Sequence, residues 1–192
     1  PLFHLAAGAR VFWAAILGAH TIVLPKFEVT DLLRLIPAFK VDTIQMVPTM
    51  LTMFLNHPDF PNHDLSSIRL ITYGASPMPV ALMQKAMQAM PDVEFCQGFG
   101  MTETSPLLTV LGSRDHALEG PLAAKLNSVG RVVGHVDVRV VDAEDNFLPH
   151  NETGEVVTRG PHVMKGYLNS PEMTAHAMRG GWYHTGDTGY FD

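Results

Sequence analysis

"IRLITYGASPMPVALMQKAMQAMPDVEFCQGFG", residues 68–100, decides the fold. It opens on "IRLITYG" (68–74), an apolar run bounded by a glycine that reads as a strand. Leu82, Met83, Ala86, Met87 and Met90 then recur at helical spacing, which predicts a helix around 80–90 whose Met-rich face is core filler. "VEFCQ" (93–97) reads as the next strand. Strand, helix and strand in immediate succession predict parallel neighbours joined by a helical crossover.

Working outward, the pattern repeats upstream. "TIVLP" (21–25) reads as a buried strand, and "TDLLRLIPAF" (30–39) as a helix behind a Thr-Asp capping signal. "TIQMV" (43–47) is a further strand, followed by a helix over 48–57. This order predicts an α/β fold, a mostly parallel sheet covered by helices. "VFWAAILGA" (11–19) is too short an apolar run to cross a bilayer and reads as a buried helix. After Leu111 the texture changes. "VDVRVVD" (136–142) and "EVVTR" (155–159), separated by the turn formers "DAEDN" and "NETG", predict a smaller antiparallel β-rich subdomain, with a short helix over 171–178. The expected division is an α/β subdomain over 1–111 and a β-rich subdomain over 112–192.

Composition narrows the class. Hydrophobic residues at 46% and charged ones at 17% describe a chain with a real core rather than a disordered tail. A net charge of −6 without any basic cluster argues against nucleic acid as the main partner. The single cysteine, Cys96, excludes an intrachain disulfide and points to a reducing, cytoplasmic setting. Its neighbours Phe95 and Gln97 suggest inert packing. Ten histidines occur without an HExxH or paired Cys/His spacing, so no zinc site is expected.

In open parallel sheets ligands bind beyond the carboxyl ends of the strands, and two strands here end in unusual loops. "YGASPMP" (73–79) follows one, "GFGMTETSP" (98–106) the other. Gly74 and Ala75 let the backbone approach a flat base, and Phe99, between Gly98 and Gly100, can lay its ring against an adenine. Thr102 offers a hydroxyl to a phosphate. Glu103 would repel a bare phosphate, but it suits a Mg2+ that bridges phosphate oxygens. The plainer alternative is an ordinary strand-to-helix bend. Asp187, in the Thr-Gly-Asp of "GGWYHTGDTGYFD" (180–192), could accept hydrogen bonds from both hydroxyls of a ribose; the plainer alternative is an Asx-turn closing a hairpin. His184 beside it reads as a satisfied surface or core histidine.

With these stretches in hand, the chain resembles the adenylate-forming superfamily, and within it the fatty-acyl-CoA synthetases. The motifs run in family order: "PLFH" (1–4), "VPTML" (47–51), "YGASPMP", "QGFGMTETSP", "GEVVTRGPHVMKGYLNSPEMT" (154–174) and "GWYHTGDTGYFD". The resemblance implies part of the large N-terminal domain of an enzyme that joins a fatty acid or another carboxylate to CoA. The acid attacks the α-phosphate of MgATP, pyrophosphate leaves, and the CoA thiol takes the acyl group. It further implies that Gly74, Ala75 and Ser76 lie along the adenine and acyl site. Gln97, Gly98, Phe99, Gly100 and Met101 would form the adenine and acyl wall, with Thr102 at the α-phosphate, Glu103 at Mg2+ and Asp187 at the ribose. His4 resembles a gate near the carboxylate, its plainer reading being a polar residue at a strand end. Arg159, Lys165 and Tyr167 read as structural or surface residues.

The family's Pro-Lys-Gly phosphate loop, its hinge and its catalytic-lysine domain do not occur in these 192 residues. The resemblance therefore implies an internal piece of a longer chain, inactive in adenylation by itself. Fatty substrates would bring such an enzyme to membrane surfaces peripherally, although no basic amphipathic helix is evident. Competing readings are an aryl- or medium-chain carboxylate–CoA ligase, a luciferase-like relative, and a non-catalytic adenylate-binding module.

Overall fold

The computed structural model describes residues 3–134 and 136–192. In chain order these form α1 (Leu5–Leu17), α2 (Val29–Phe39), β1 (Thr43–Met46), α3 (Pro48–Leu55), β2 (Leu70–Gly74), α4 (Val80–Ala89) and β3 (Glu94–Phe99). There follow β4 (Thr109–Leu111), β5 (Arg131–Val132), β6 (Asp137–Val141), β7 (Gly154–Arg159), α5 (Pro171–Ala177) and β8 (Tyr183–Gly189). Five strands make one sheet in the order β1-β2-β3-β4-β5, and three make another, β6-β7-β8. β1, β2 and β3 are parallel, and β4 returns antiparallel to β3. The fold is thus α/β, a mostly parallel sheet and a smaller antiparallel one. Contacts divide the chain into two compact units. One comprises the residues up to Phe99 with Thr109–Arg131, the other Gly100–Leu108 with Val132–Asp192.

In the first unit, strand alternation puts Ile44, Met46, Ile71, Tyr73 and Phe95 into the buried core. Leu32, Leu33 and Ile36 of α2, Leu51, Phe54 and Leu55 of α3, and Met83 and Ala86 of α4 complete it. Each large side chain fully buried there contributes about 1.5–3 kcal/mol. Gln45, Thr72 and Cys96 alternate to the other side of the sheet. There Arg10 of α1 donates to Gln45 Oε1 at 2.9 Å and to the Thr72 hydroxyl. Burial pushes the Arg10 pKa down and the Cys96 thiol up, so Cys96 stays protonated, as inert packing requires.

Four expectations from sequence need correction. "VFWAAILGA" does lie largely in a helix, but not a buried one. Phe12, Trp13, Ile16 and Leu17 are all exposed, and α1 touches the sheet through a polar residue, Arg10. "TIVLP" is no strand: Val23 is 62% exposed, and a short apolar run becomes a strand only with a neighbour to pair with. The cap of α2 is not Thr30, because the helix begins one residue earlier, at Val29, and its N-cap is Glu28. Thr30 instead meets His57 Nε2 at 3.4 Å. Finally, Gly98 and Phe99 sit inside β3 rather than in the loop beyond it.

The second unit is built differently. β6, β7 and β8 pair antiparallel, burying Val138, Val140, Val157, Thr158, Tyr183 and His184. Asp142 closes the first hairpin by accepting the N–H groups of Glu144 and Asn146 at 2.9 and 2.8 Å; the Asn146 bonds above all pull its pKa down. Arg179 reaches both Asp145 Oδ2 at 3.1 Å and Glu155 Oε2 at 3.2 Å. Glu155 also meets His184 Nδ1 at 2.9 Å, which makes His184 a satisfied core histidine. No helix among the described residues is long and apolar enough to cross a membrane.

Candidate functional site

The first unit carries the residues after β2 and at the end of β3. β2 and β3 are adjacent and parallel, with Gly74 in register with Gly98. A Cβ on Gly74 would overlap the Gly98 carbonyl oxygen, so the two strand ends approach as only glycine permits. The chain then leaves β2 through Ala75 at φ 67°, in the left-handed region, at a cost of about 1–2 kcal/mol. Ala75 and Ser76 are exposed, whereas Gln97 is buried. Phe99 is half-buried and pairs with Thr109 of β4.

Tyr73, just before this loop, is buried and bonds to His116 Nε2 at 2.8 Å. His116 Nδ1 lies 2.9 Å from the Gly112 carbonyl, an acceptor only, so Nδ1 carries the proton and the Tyr73 hydroxyl donates to Nε2. This pairing holds His116 neutral, and burial lowers its pKa accordingly. The same burial raises the Tyr73 phenol.

The second unit carries Gly100 to Glu103 and Asp187. A Cβ on Gly100 would overlap the Pro106 carbonyl oxygen. Between them the chain forms a tight turn over Thr102–Thr104. The buried Thr104 closes it, accepting the Met101 N–H and donating to the Met101 carbonyl, both at 3.1 Å. Thr102 is exposed and Glu103 half-buried. Ser105 leaves the turn at φ 52°, a second left-handed residue other than glycine.

Three contacts from a distant stretch fix this turn. The Met164 N–H donates to the Glu103 carbonyl at 2.8 Å, Tyr167 Oη to Glu103 Oε1 at 3.1 Å, and Tyr183 Oη to Met101 Sδ at 3.4 Å. The Tyr183 phenol is raised chiefly by burial, then by the neighbouring Tyr167 hydroxyl and by the charges of Glu103 and Asp187. Asp187 itself is exposed on β8. Its N–H donates to Thr185 Oγ1 at 3.1 Å, and the preceding Gly186 N–H donates to Glu155 Oε1 at 3.0 Å.

Sequence reading missed Tyr167 as a partner of Glu103, taking it for a structural or surface residue. The two stand 64 positions apart, and no local pattern links them. Arg159 does have a structural place, bonded to Asp137 at 3.3 Å and stacked over Trp182 at 4.5 Å. His4 is exposed at the N-cap of α1, not at a strand end; its carbonyl accepts the N–H groups of Ala7 and Gly8. Pro1 and Leu2 of the same motif lie outside the described residues.

Residues 1–168 match the family model described as AMP-binding enzyme. The chain is 38% identical to a 4-coumarate–CoA ligase of Pinus taeda over its whole length, and 36% identical to 4-coumarate–CoA ligase 4 of Arabidopsis thaliana. It spans 36% and 34% of those relatives' own length. Among solved structures, the N-terminal domain of FACL13 from Mycobacterium tuberculosis covers the whole chain at 33% identity and a TM-score of 0.86, with 46% of that structure covered. The o-succinylbenzoate CoA synthetase MenE from Bacillus subtilis, in complex with the acyl-adenylate intermediate OSB-AMP, covers it at 30% identity and a TM-score of 0.85, with 37% of that structure covered. This chain belongs to the family of AMP-binding enzymes.

Proposed function

We propose that these residues form the nucleotide-handling part of an ATP-dependent acid–CoA ligase, which activates a carboxylate as its adenylate and transfers it to CoA. The observation that carries this reading is the turn at Thr102–Glu103. It presents an exposed hydroxyl beside a carboxylate whose free reach is set by a tyrosine. Thr102 binds the α-phosphate, and Asp187, exposed with its backbone held on both sides, accepts the ribose hydroxyls. Gly74, Ala75 and Ser76, with Gln97 through Met101, line the adenine and acyl groups, Phe99 supplying the ring face. His4 stands near the carboxylate. Support for the whole comes from family membership and from the likeness to MenE in its OSB-AMP complex.

Mg2+ fits this donor set. It takes one or two carboxylates and completes its shell with phosphates and water rather than a protein cage. Among the described residues no group of three or more His, Cys, Asp or Glu side chains could hold a metal ion, and Glu103 stands at the turn as a single carboxylate. When bound, the ion neutralises charge on the phosphate oxygens during displacement. Glu103 would hold it, while Thr102 orients the phosphate that the acid attacks.

The acid substrate has two readings. Motif resemblance favours a fatty acid, whereas the names of relatives at 38% and 36% identity favour a 4-coumarate-like aryl acid. Acid-dependent ATP–pyrophosphate exchange by the full-length parent chain, with acetate, benzoate, 4-coumarate, octanoate and palmitate compared, decides between them. Exchange rising with alkyl length supports the fatty acid. Exchange confined to the ring acids replaces it with the aryl reading, and none with any acid removes the ligase assignment.

A further inference from the structure

We propose that Tyr167 is a positioning residue for metal binding, orienting the Glu103 carboxylate so that its second oxygen is directed to the ion. The inference rests on the reading of Glu103 as the Mg2+ ligand. A glutamate on a short turn has three side-chain torsions to fix, and a ligand that swings freely binds weakly because ordering it costs entropy on each binding event. Here the ordering is built in. Tyr167 Oη donates to Glu103 Oε1 at 3.1 Å, leaving Oε2 as the oxygen free to ligate. The Glu103 backbone is held in turn by the Met164 N–H at 2.8 Å, from the same motif.

Tyr167 is itself braced. Its N–H donates to Thr174 Oγ1 at 2.9 Å, and Thr174 Oγ1 donates to the Ser170 carbonyl at 2.9 Å at the start of α5. A Cβ on the neighbouring Gly166 would press on the Thr174 methyl at 2.7 Å, so the chain enters Tyr167 along one path. Tyr183 flanks the pair, donating to Met101 Sδ at 3.4 Å. The "MKGY" stretch thus acts on Glu103 through both its backbone and its carboxylate. Partners that orient a metal ligand in this way typically contribute about 10–100-fold in metal affinity.

The test uses the full-length parent chain and Mn2+ as the probe, its affinity for the protein saturated with a non-hydrolysable ATP analogue read from the EPR signal of free Mn2+. Tyr167→Phe, which keeps the ring, is expected to weaken Mn2+ binding about 10-fold while leaving metal-free AMP affinity and melting temperature unchanged. Glu103→Gln is expected to weaken it at least as much. The Tyr167→Phe/Glu103→Gln double variant should then bind Mn2+ no worse than Glu103→Gln alone, because Tyr167 acts through that carboxylate. Additive losses, or equal loss of AMP affinity, would show general loosening and overturn the inference. Normal Mn2+ affinity in Tyr167→Phe with a weakened Glu103→Gln overturns it while leaving Glu103 as the ligand. Normal affinity in Glu103→Gln removes both.

Discussion

The two units are held together by different forces. The first is an apolar core: Leu33, Ile36, Leu51, Phe54, Ile71 and Met83 are fully buried between helices and sheet. The second buries a row of valines on one thin sheet and ties its loops with charge, Arg179 joining Asp145 to Glu155 and Glu155 joining His184 to the Gly186 N–H. Each unit carries candidate residues held by its own kind of force. Gly74 and Gly98 are set by close backbone packing, whereas Glu103 and Asp187 are set by side-chain hydrogen bonds reaching across the sequence. Packing is insensitive to pH and salt; hydrogen-bonded carboxylates are not. The candidate residues of the first unit and those of the second should therefore fail under different conditions.

The largest break in this contrast is Phe54→Ala. It removes a fully buried ring that meets Phe60 edge-on at 5.1 Å, and the expected loss is about 3–5 kcal/mol, read by chemical denaturation. Amide exchange should accelerate in α2, α3 and β1. Next comes Gly74→Ala. Its methyl has nowhere to go but into the Gly98 carbonyl, so β2 and β3 must part, at about 1–3 kcal/mol and with loss of nucleotide affinity by calorimetry.

Acid sharpens the contrast. Burial raises the Glu155 pKa, but hydrogen bonds from His184, Gly186 and Arg179 outweigh it and hold the carboxyl below 4.5. The folded state then binds fewer protons than the unfolded one. The stabilisation is full above pH 4.5 and is lost as pH falls through the folded value. Protection factors of the amides in β7 and β8, taken relative to the intrinsic exchange rate at each pH, should fall on acidification, and Glu155→Gln should flatten that dependence. In the first unit His116 is the buried exception, its pKa lowered from 6.5, so its contribution fades as pH drops below 6.5. His116→Gln should remove that slope. The smallest effect is Ala75→Gly, which relieves left-handed strain of about 1–2 kcal/mol against about 0.4–1 kcal/mol of added chain entropy. A net gain of roughly 0.5 kcal/mol is expected in thermal melts.

Much of the first unit was legible in sequence because periodicity is a local signal. The helix at Val80–Ala89 follows from its spacing, and the strand at Thr43–Met46 and the body of β3 from their short apolar runs, although β3 runs on through Gly98 and Phe99, which read as loop. The failures are non-local. "TIVLP" has strand composition, but pairing depends on a partner, and α1 has core composition, but burial depends on what covers it. β8 was hidden because "YHTGDTG" looks like a turn; its pairing with β7 comes with a bulge between Glu155 and Val157. Motifs single out Glu103 and Asp187 as candidates. They could not find Tyr167, since a hydrogen bond across 64 positions leaves no spacing to read. Glu155 was equally silent: its role is to hold the Gly186 N–H, a backbone group without sequence identity.

The most direct test of the account is acid-dependent ATP–pyrophosphate exchange in the full-length parent chain, titrated with Mg2+, for the native protein and for Glu103→Ala. The account predicts exchange in the native chain, and in the variant a loss of at least about 100-fold that excess Mg2+ restores only partly. Exchange in Glu103→Ala at the native rate and the native Mg2+ requirement would contradict it.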